Sequence, residues 1–172
     1  MSRMDLLDRF KRLDEDAHLL FDTDERFHLV IVGGSALILQ QYISRATHDV
    51  DTISVSSKLF ALLENYDIDS RVQAYINNFP YNYEDRLVLV FSGRKIDFFA
   101  ASLEDIVVAK LYSMRPTDKS DIESKEVLMH MDWDLLERLA VADDEARASA
   151  LNDRNYNDFK MSYDEYVERF RP

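Results

Sequence analysis

The chain has no cysteine, which excludes disulfides and thiolate–metal centres. It has no apolar run near the ~20 residues that span a bilayer, so no membrane partner is expected. Glycine and proline are scarce, at three each, and there is no repeat and no low-complexity segment. Positive charge is also short: 21 Lys and Arg face 33 Asp and Glu, a net charge of −12. That balance weighs against a general nucleic-acid binder, whose surface must be positive to displace counterions. The first eight residues, Met-Ser-Arg-Met-Asp-Leu-Leu-Asp, carry acids early and read as a helix rather than a signal peptide. A reducing cytoplasm is the expected location.

What is present can build a core. Of the 172 residues, 47% are apolar and 12% aromatic, so the chain is not disordered. The length suits one domain with a helical appendix, with residues 1–125 expected as the domain and 126–172 as a helical extension. Residues 4–21 carry Leu6, Leu7, Phe10, Leu13, His18 and Leu20 near helical spacing. Phe27 to Val32 is a short apolar run ending in Gly33-Gly34 and reads as a buried strand. Ser35 is placed to cap a helix running to about Arg45. A strand is expected over residues 49–55 and helices over 57–66 and 69–77. Residues 86–92 and 95–100 form a hairpin around Ser92-Gly93, apolar on both faces and expected inside the sheet.

From Ser102 the period changes from two to about 3.6. Ser102 and Asp105 form a capping-box pattern for a helix to about Met114, which Pro116 ends. Further helices are expected at 118–131, 133–141, 143–151 and 162–170. Helix, mixed sheet, then helices alone is the order of an α+β fold.

Three features carry chemistry. The strand ending in Gly33-Gly34-Ser35 and feeding a helix offers backbone amides to a phosphate, although two glycines also suit a plain tight turn. There is no Gly-Lys-Ser/Thr ending, so a P-loop is not supported. Asp49 and Asp51 lie at i and i+2 of an extended segment and point to one side. Such carboxylates repel unless a cation joins them, and such pairs also cap helices or sit on exposed strand faces. Asp97 interrupts the apolar run Arg94-Lys-Ile-Asp-Phe-Phe-Ala. A lone carboxylate in a core strand is costly unless paired or metal-bound; a salt bridge to Arg45, Arg94 or Lys95 would pair it. Three aspartates on neighbouring strands could form an oxygen cage suited to Mg²⁺ or Mn²⁺.

Gly34-Ser35, thirteen intervening residues, Asp49-x-Asp51 and then Asp97 resemble the signature of the polymerase-beta-like nucleotidyltransferase superfamily. The tighter resemblance is to small bacterial AbiEii-like proteins. It rests on Gly33-Gly34-Ser35, residues 45–51 (Arg-Ala-Thr-His-Asp-Val-Asp), residues 103–110 (Leu-Glu-Asp-Ile-Val-Val-Ala-Lys), and then Arg115, Asp118 and Asp121. It covers about residues 28–125 and implies a nucleotidyltransferase fold, a small mixed sheet flanked by helices.

The resemblance further implies roles. Asp49, Asp51 and Asp97 would hold two metal ions, Mg²⁺ or Mn²⁺, and serve catalysis. Gly33, Gly34, Ser35 and Lys110 would hold the triphosphate; as a residue, Lys110 also suits a snorkelling surface lysine. Arg45 and Thr47 would brace the loop before Asp49. The implied reaction moves a nucleoside monophosphate from a nucleoside triphosphate to a hydroxyl acceptor: a tRNA, a protein or a small molecule. The group also implies a toxin paired with an antitoxin. The alternative is a catalytically silent module of the same fold that binds nucleotide or a protein.

Overall fold

The computed structural model describes residues 1–22, 24–53, 55–70, 76–142, 144 and 150–172. They divide into two compact units, one of residues 1–73 and 87–101, the other of residues 74–86 and 102–172.

The first unit is built on a five-stranded mixed sheet. Its strands are β1 (Phe27–Val32), β2 (Val50–Ile53), β3 (Ile68–Asp69), β4 (Val88–Ser92) and β5 (Ile96–Ala100), in the order β3-β2-β1-β5-β4. β1 is antiparallel to β2 and parallel to β5; β2 is parallel to β3, and β4 antiparallel to β5. The helices of this unit are α1 (Arg3–Leu20), α2 (Gly33–Leu39) and α3 (Phe60–Glu64). The α+β expectation holds.

α1 starts at a complete capping box, with the Ser2 side chain bonded to the Asp5 amide and Asp5 bonded back to the Ser2 amide. Leu6, Phe10, Leu13 and Ala17 recur at helical spacing and are fully buried. Phe10 stacks on Phe98 of β5 with ring centroids 4.6 Å apart. Each buried Leu or Phe here contributes ~2 kcal/mol of hydrophobic stabilisation. Asp14 lies on the same face because it has a different task. Its carboxylate accepts the backbone N–H groups of Arg94, Lys95 and Ile96 at 2.8–2.9 Å, fastening α1 to the β4–β5 hairpin.

Several expectations need correction. β4 is the edge of the sheet, and only β5 is internal. Val88 and Leu89 are exposed; an apolar strand need not be covered on both faces. α2 ends at Leu39, ahead of Gln41 with its positive φ of 66°, and not near Arg45. Ser35 lies inside α2 and does not cap it; its hydroxyl donates to the Val32 carbonyl. Asp69 belongs to β3, and most of the helix expected over 69–77 lies outside the described residues.

The second unit holds α4 (Leu103–Ser113), α5 (Pro116–Ile122), α6 (Lys125–His130), α7 (Trp133–Glu137), a π-helical turn (Arg138–Ala142) and α8 (Asp153–Phe170). Ser102 caps α4 as the pattern predicts: its hydroxyl accepts the Asp105 amide and donates to the Asp105 carboxylate. Met114 ends α4 in the left-handed region, and Pro116 opens α5, where its missing N–H costs nothing. α8 is longer than the 162–170 expected. It packs through Phe159, stacked on Tyr112 at 4.1 Å, and through Tyr166, whose hydroxyl donates to the Ile122 carbonyl. The helix expected at 143–151 lies almost wholly outside the described residues. Among the described residues no helix is long and apolar enough to cross a membrane.

Candidate active site

The β1–α2 junction is shaped by its two glycines. Gly33 has φ of +65°, a conformation that any side chain would strain. A Cβ there would stand 3.5 Å from Asp51 Oδ2, so the Asp51 carboxylate lies directly against the turn. A Cβ on Gly34 would stand 2.5 Å from Arg45 Nη2, so the Arg45 guanidinium lies on the next residue. Consecutive glycines thus face opposite charges, one supplied by β2 and one by the loop before it.

That loop is held from within. Thr47, nearly buried, donates its hydroxyl to the Asp49 carbonyl at 3.0 Å, the bracing role expected of it. Asp49 is exposed and Asp51 half-buried. Beyond Asp51, the parallel pairing of β2 with β3 sets Asp69 directly beside it, on the same face of the sheet. Asp49, Asp51, Glu64, Asp67 and Asp69 line a cleft of about 380 Å³. The sequence motifs do not single out Asp69. Its signal was Asp67-Ile68-Asp69, which repeats the pattern of Asp49-Val50-Asp51.

Asp97 is elsewhere. In β1, Val32 is the partner of Asp51 and His28 the partner of Asp97. The two carboxylates share a face but are four residues apart along β1, about 13 Å, with β1 itself between their strands. The strand position level with Val32 on β5 is Ala101, whose amide bonds to the Ile31 carbonyl. Asp97 instead accepts Arg26 Nη2 at 2.7 Å and the Ser92 hydroxyl at 2.6 Å. Burial pushes its carboxyl up, but those two bonds outweigh burial and hold it below the ordinary carboxylate range. The salt-bridge explanation is right in kind; Arg26 is the partner, in place of Arg45, Arg94 or Lys95.

The structure therefore brings together Gly33, Gly34, Asp49 and Asp51, and leaves Asp97 out. Asp49 and Asp51 offer the hard oxygen donors a divalent cation takes. The three-aspartate, two-ion cage does not fit: among the described residues no three acidic or histidine side chains converge to hold a metal ion.

Lys110, in the second unit, is buried between two carboxylates. Its Nζ is 2.7 Å from Asp118 Oδ1 and 3.0 Å from Asp121 Oδ2. Arg115 and Ser113 also donate to Asp118. Burial raises the Asp118 carboxyl, but Arg115 and Lys110 overcome this and bring it down to about 2. These surroundings make Lys110 the centre of a buried ion cluster, neither a snorkelling lysine nor an open phosphate ligand.

The mixed five-stranded sheet flanked by helices is consistent with a nucleotidyltransferase-like α+β fold. The chain belongs to the DUF6036 family, described as a nucleotidyltransferase of unknown function, whose model matches residues 8–171. No match to the chain was found among curated proteins or among solved structures.

Proposed function

We propose that the protein transfers a nucleoside monophosphate from a nucleoside triphosphate to a hydroxyl acceptor, releasing pyrophosphate. The observation that carries this reading is the glycine turn set against Asp51, with Asp49 two residues before it, in a member of a nucleotidyltransferase family. Gly33, with its φ of +65°, makes the turn that sets the start of α2 beside Asp51. Asp49 and Asp51 would hold Mg²⁺ or Mn²⁺, which when bound offsets triphosphate charge and polarises the reacting phosphorus. The chain's own part is position: the Thr47 bond holds Asp49 in place, and the β1 and β3 ladders hold Asp51.

An AbiEii-like character, resting on the resemblance of Gly33-Gly34-Ser35, residues 45–51 and 103–110, Arg115, Asp118 and Asp121, and the toxin's role opposite an antitoxin that this resemblance implies, belong to the proposal. The acceptor stays at the level of its chemistry, a hydroxyl on tRNA, protein or a small molecule. One observation favours a second reading, a silent module that binds nucleotide without turnover: Ala101 and not an aspartate is level with Asp51 across β1.

Incubation with each labelled triphosphate, Mg²⁺ and a cell extract tests the two. Label passing to an acceptor with pyrophosphate release supports transfer. Tight nucleotide binding without pyrophosphate release supports the silent module. No binding of any triphosphate removes both.

A further inference from the structure

β4 is the edge of its sheet, and nothing among the described residues pairs with its outer side. A free strand edge is a template for another chain, and proteins usually blunt it with charge or proline. The five residues of β4, Val-Leu-Val-Phe-Ser, include neither. The strand does carry a bulge at Val90, which sets its face. Val88 pairs with Ala100 and Phe91 with Phe98, two residues apart on β5, so Val88 and Phe91 share the face on which α1 packs. On that face a groove of about 610 Å³ lies between α1 and the end of β4, with Phe91 on one wall and Leu19, 82% exposed, on the other. The whole chain has a net charge of −12, yet this groove presents exposed Lys11, His18 and Arg94 against one exposed acid, Glu15. Its other carboxylate, Asp14, is buried and taken by three backbone N–H groups. The Arg94 side chain makes no bond among the described residues.

We infer that β4 takes an extended, acidic segment of a partner protein as a sixth strand of the sheet. In this mode main-chain bonds to the edge give affinity, and alternate side chains give specificity. Apolar side chains of the segment meet Phe91 and Leu19, and its carboxylates meet Lys11 and Arg94. A second copy of this chain suits the edge less. Its own β4 offers no carboxylate to Lys11 and Arg94, and it brings a further net charge of −12. None of the groove residues lines the cleft at Asp49 and Asp51, so this site stands or falls apart from nucleotide transfer.

Fluorescence anisotropy on the full chain tests this with dye-labelled, end-blocked peptides of about nine residues, an ordinary strand length. One peptide alternates Val with Glu, and a second alternates Val with Lys. A third is the Val–Glu peptide N-methylated at alternate backbone amides, which keeps its charge and removes its strand pairing. The Val–Glu peptide should bind and should slow amide hydrogen exchange along Val88–Ser92. The other two should bind weaker by about tenfold or more, one through like charges and one through lost main-chain bonds. Arg94→Glu should weaken the Val–Glu peptide by about tenfold or more and should melt at the wild-type temperature. No binding of the Val–Glu peptide, equal binding of the Val–Lys peptide, or binding that survives N-methylation or Arg94→Glu overturns the inference. Binding that leaves exchange along β4 unchanged overturns it too. So does exchange along β4 that slows in the protein alone as sedimentation shows a dimer forming, since a second copy then holds the edge.

Discussion

Asp51 and Asp97 share a sheet face yet stand at different levels of it, opposite Val32 and His28 of the same strand. That spacing divides the acidic residues between two tasks. Asp49 and Asp51 stay with the glycine turn, while Asp97 joins Arg26 at the start of β1 to Ser92 at the end of β4.

Asp97→Asn should therefore leave triphosphate affinity unchanged and lower the melting temperature. Its carboxyl is held below the unfolded value of 3.8. The stability it contributes is present above that pH and is lost as pH falls through the lower folded value. Melting curves of wild type and variant, recorded from neutral pH into acid, should converge below about pH 4. A variant that melts normally at pH 7 but binds no triphosphate would return Asp97 to the site.

Lys110→Met should destabilise by about 3–5 kcal/mol, because it leaves Asp118 and Asp121 buried without their ammonium. Urea unfolding at pH 7 measures this. The wild-type cluster should itself be acid-sensitive: with the Asp118 carboxyl lowered to about 2, its contribution is complete above about pH 4 and is lost as pH falls towards 2. Undiminished stability in Lys110→Met would mean that the cluster adds nothing to the fold.

Asp14 and Gly93 should behave as one unit. A Cβ on Gly93 would stand 2.2 Å from Asp14 Cγ, and that carboxylate is fixed by three backbone N–H groups. Gly93→Ala should push the carboxylate off the hairpin. Asp14→Ala should leave the three N–H groups unpaired, at a cost of ~2–4 kcal/mol. The double variant should lose much less than the two single losses added together, since either change breaks the same contact. Additive losses in urea unfolding would show that the contact is unimportant.

Asp49→Asn keeps the shape of the side chain and removes one of two neighbouring charges. Nucleotide transfer should fall by orders of magnitude. The metal-free melting temperature should hold or rise, because a repelling pair is relieved. Pyrophosphate release and a melt in chelator check the two halves. Normal turnover in Asp49→Asn would place the reacting centre away from the glycine turn.

Much of the site was legible because it is local. The strand ending at Val32, the two glycines and the Asp-x-Asp spacing lie within 25 residues, and a period of two fixes which side Asp49 and Asp51 share. Asp97 was misplaced for the opposite reason. Its neighbours come from β1 and β4, and a ladder's register is not written in either strand alone. The same limit applies to β4. Its apolar residues predicted a strand correctly, yet its place at the edge depends on what else pairs with β5. Asp69 falls at the start of a segment whose pattern predicts a helix, because a two-residue strand has no period to recognise.

By itself, then, the sequence determined the order and type of the main elements, the α+β class and the place of the two glycines between the first strand and its helix. Each follows from backbone conformation and side-chain spacing over a few residues. Tertiary structure alone decided which charges meet: Arg45 on Gly34, Asp69 beside Asp51, Asp97 on Arg26 and Lys110 between Asp118 and Asp121. Most of those contacts join residues on different elements, and a charge takes its role from the partner that folding brings within hydrogen-bond reach, often one far away in the chain.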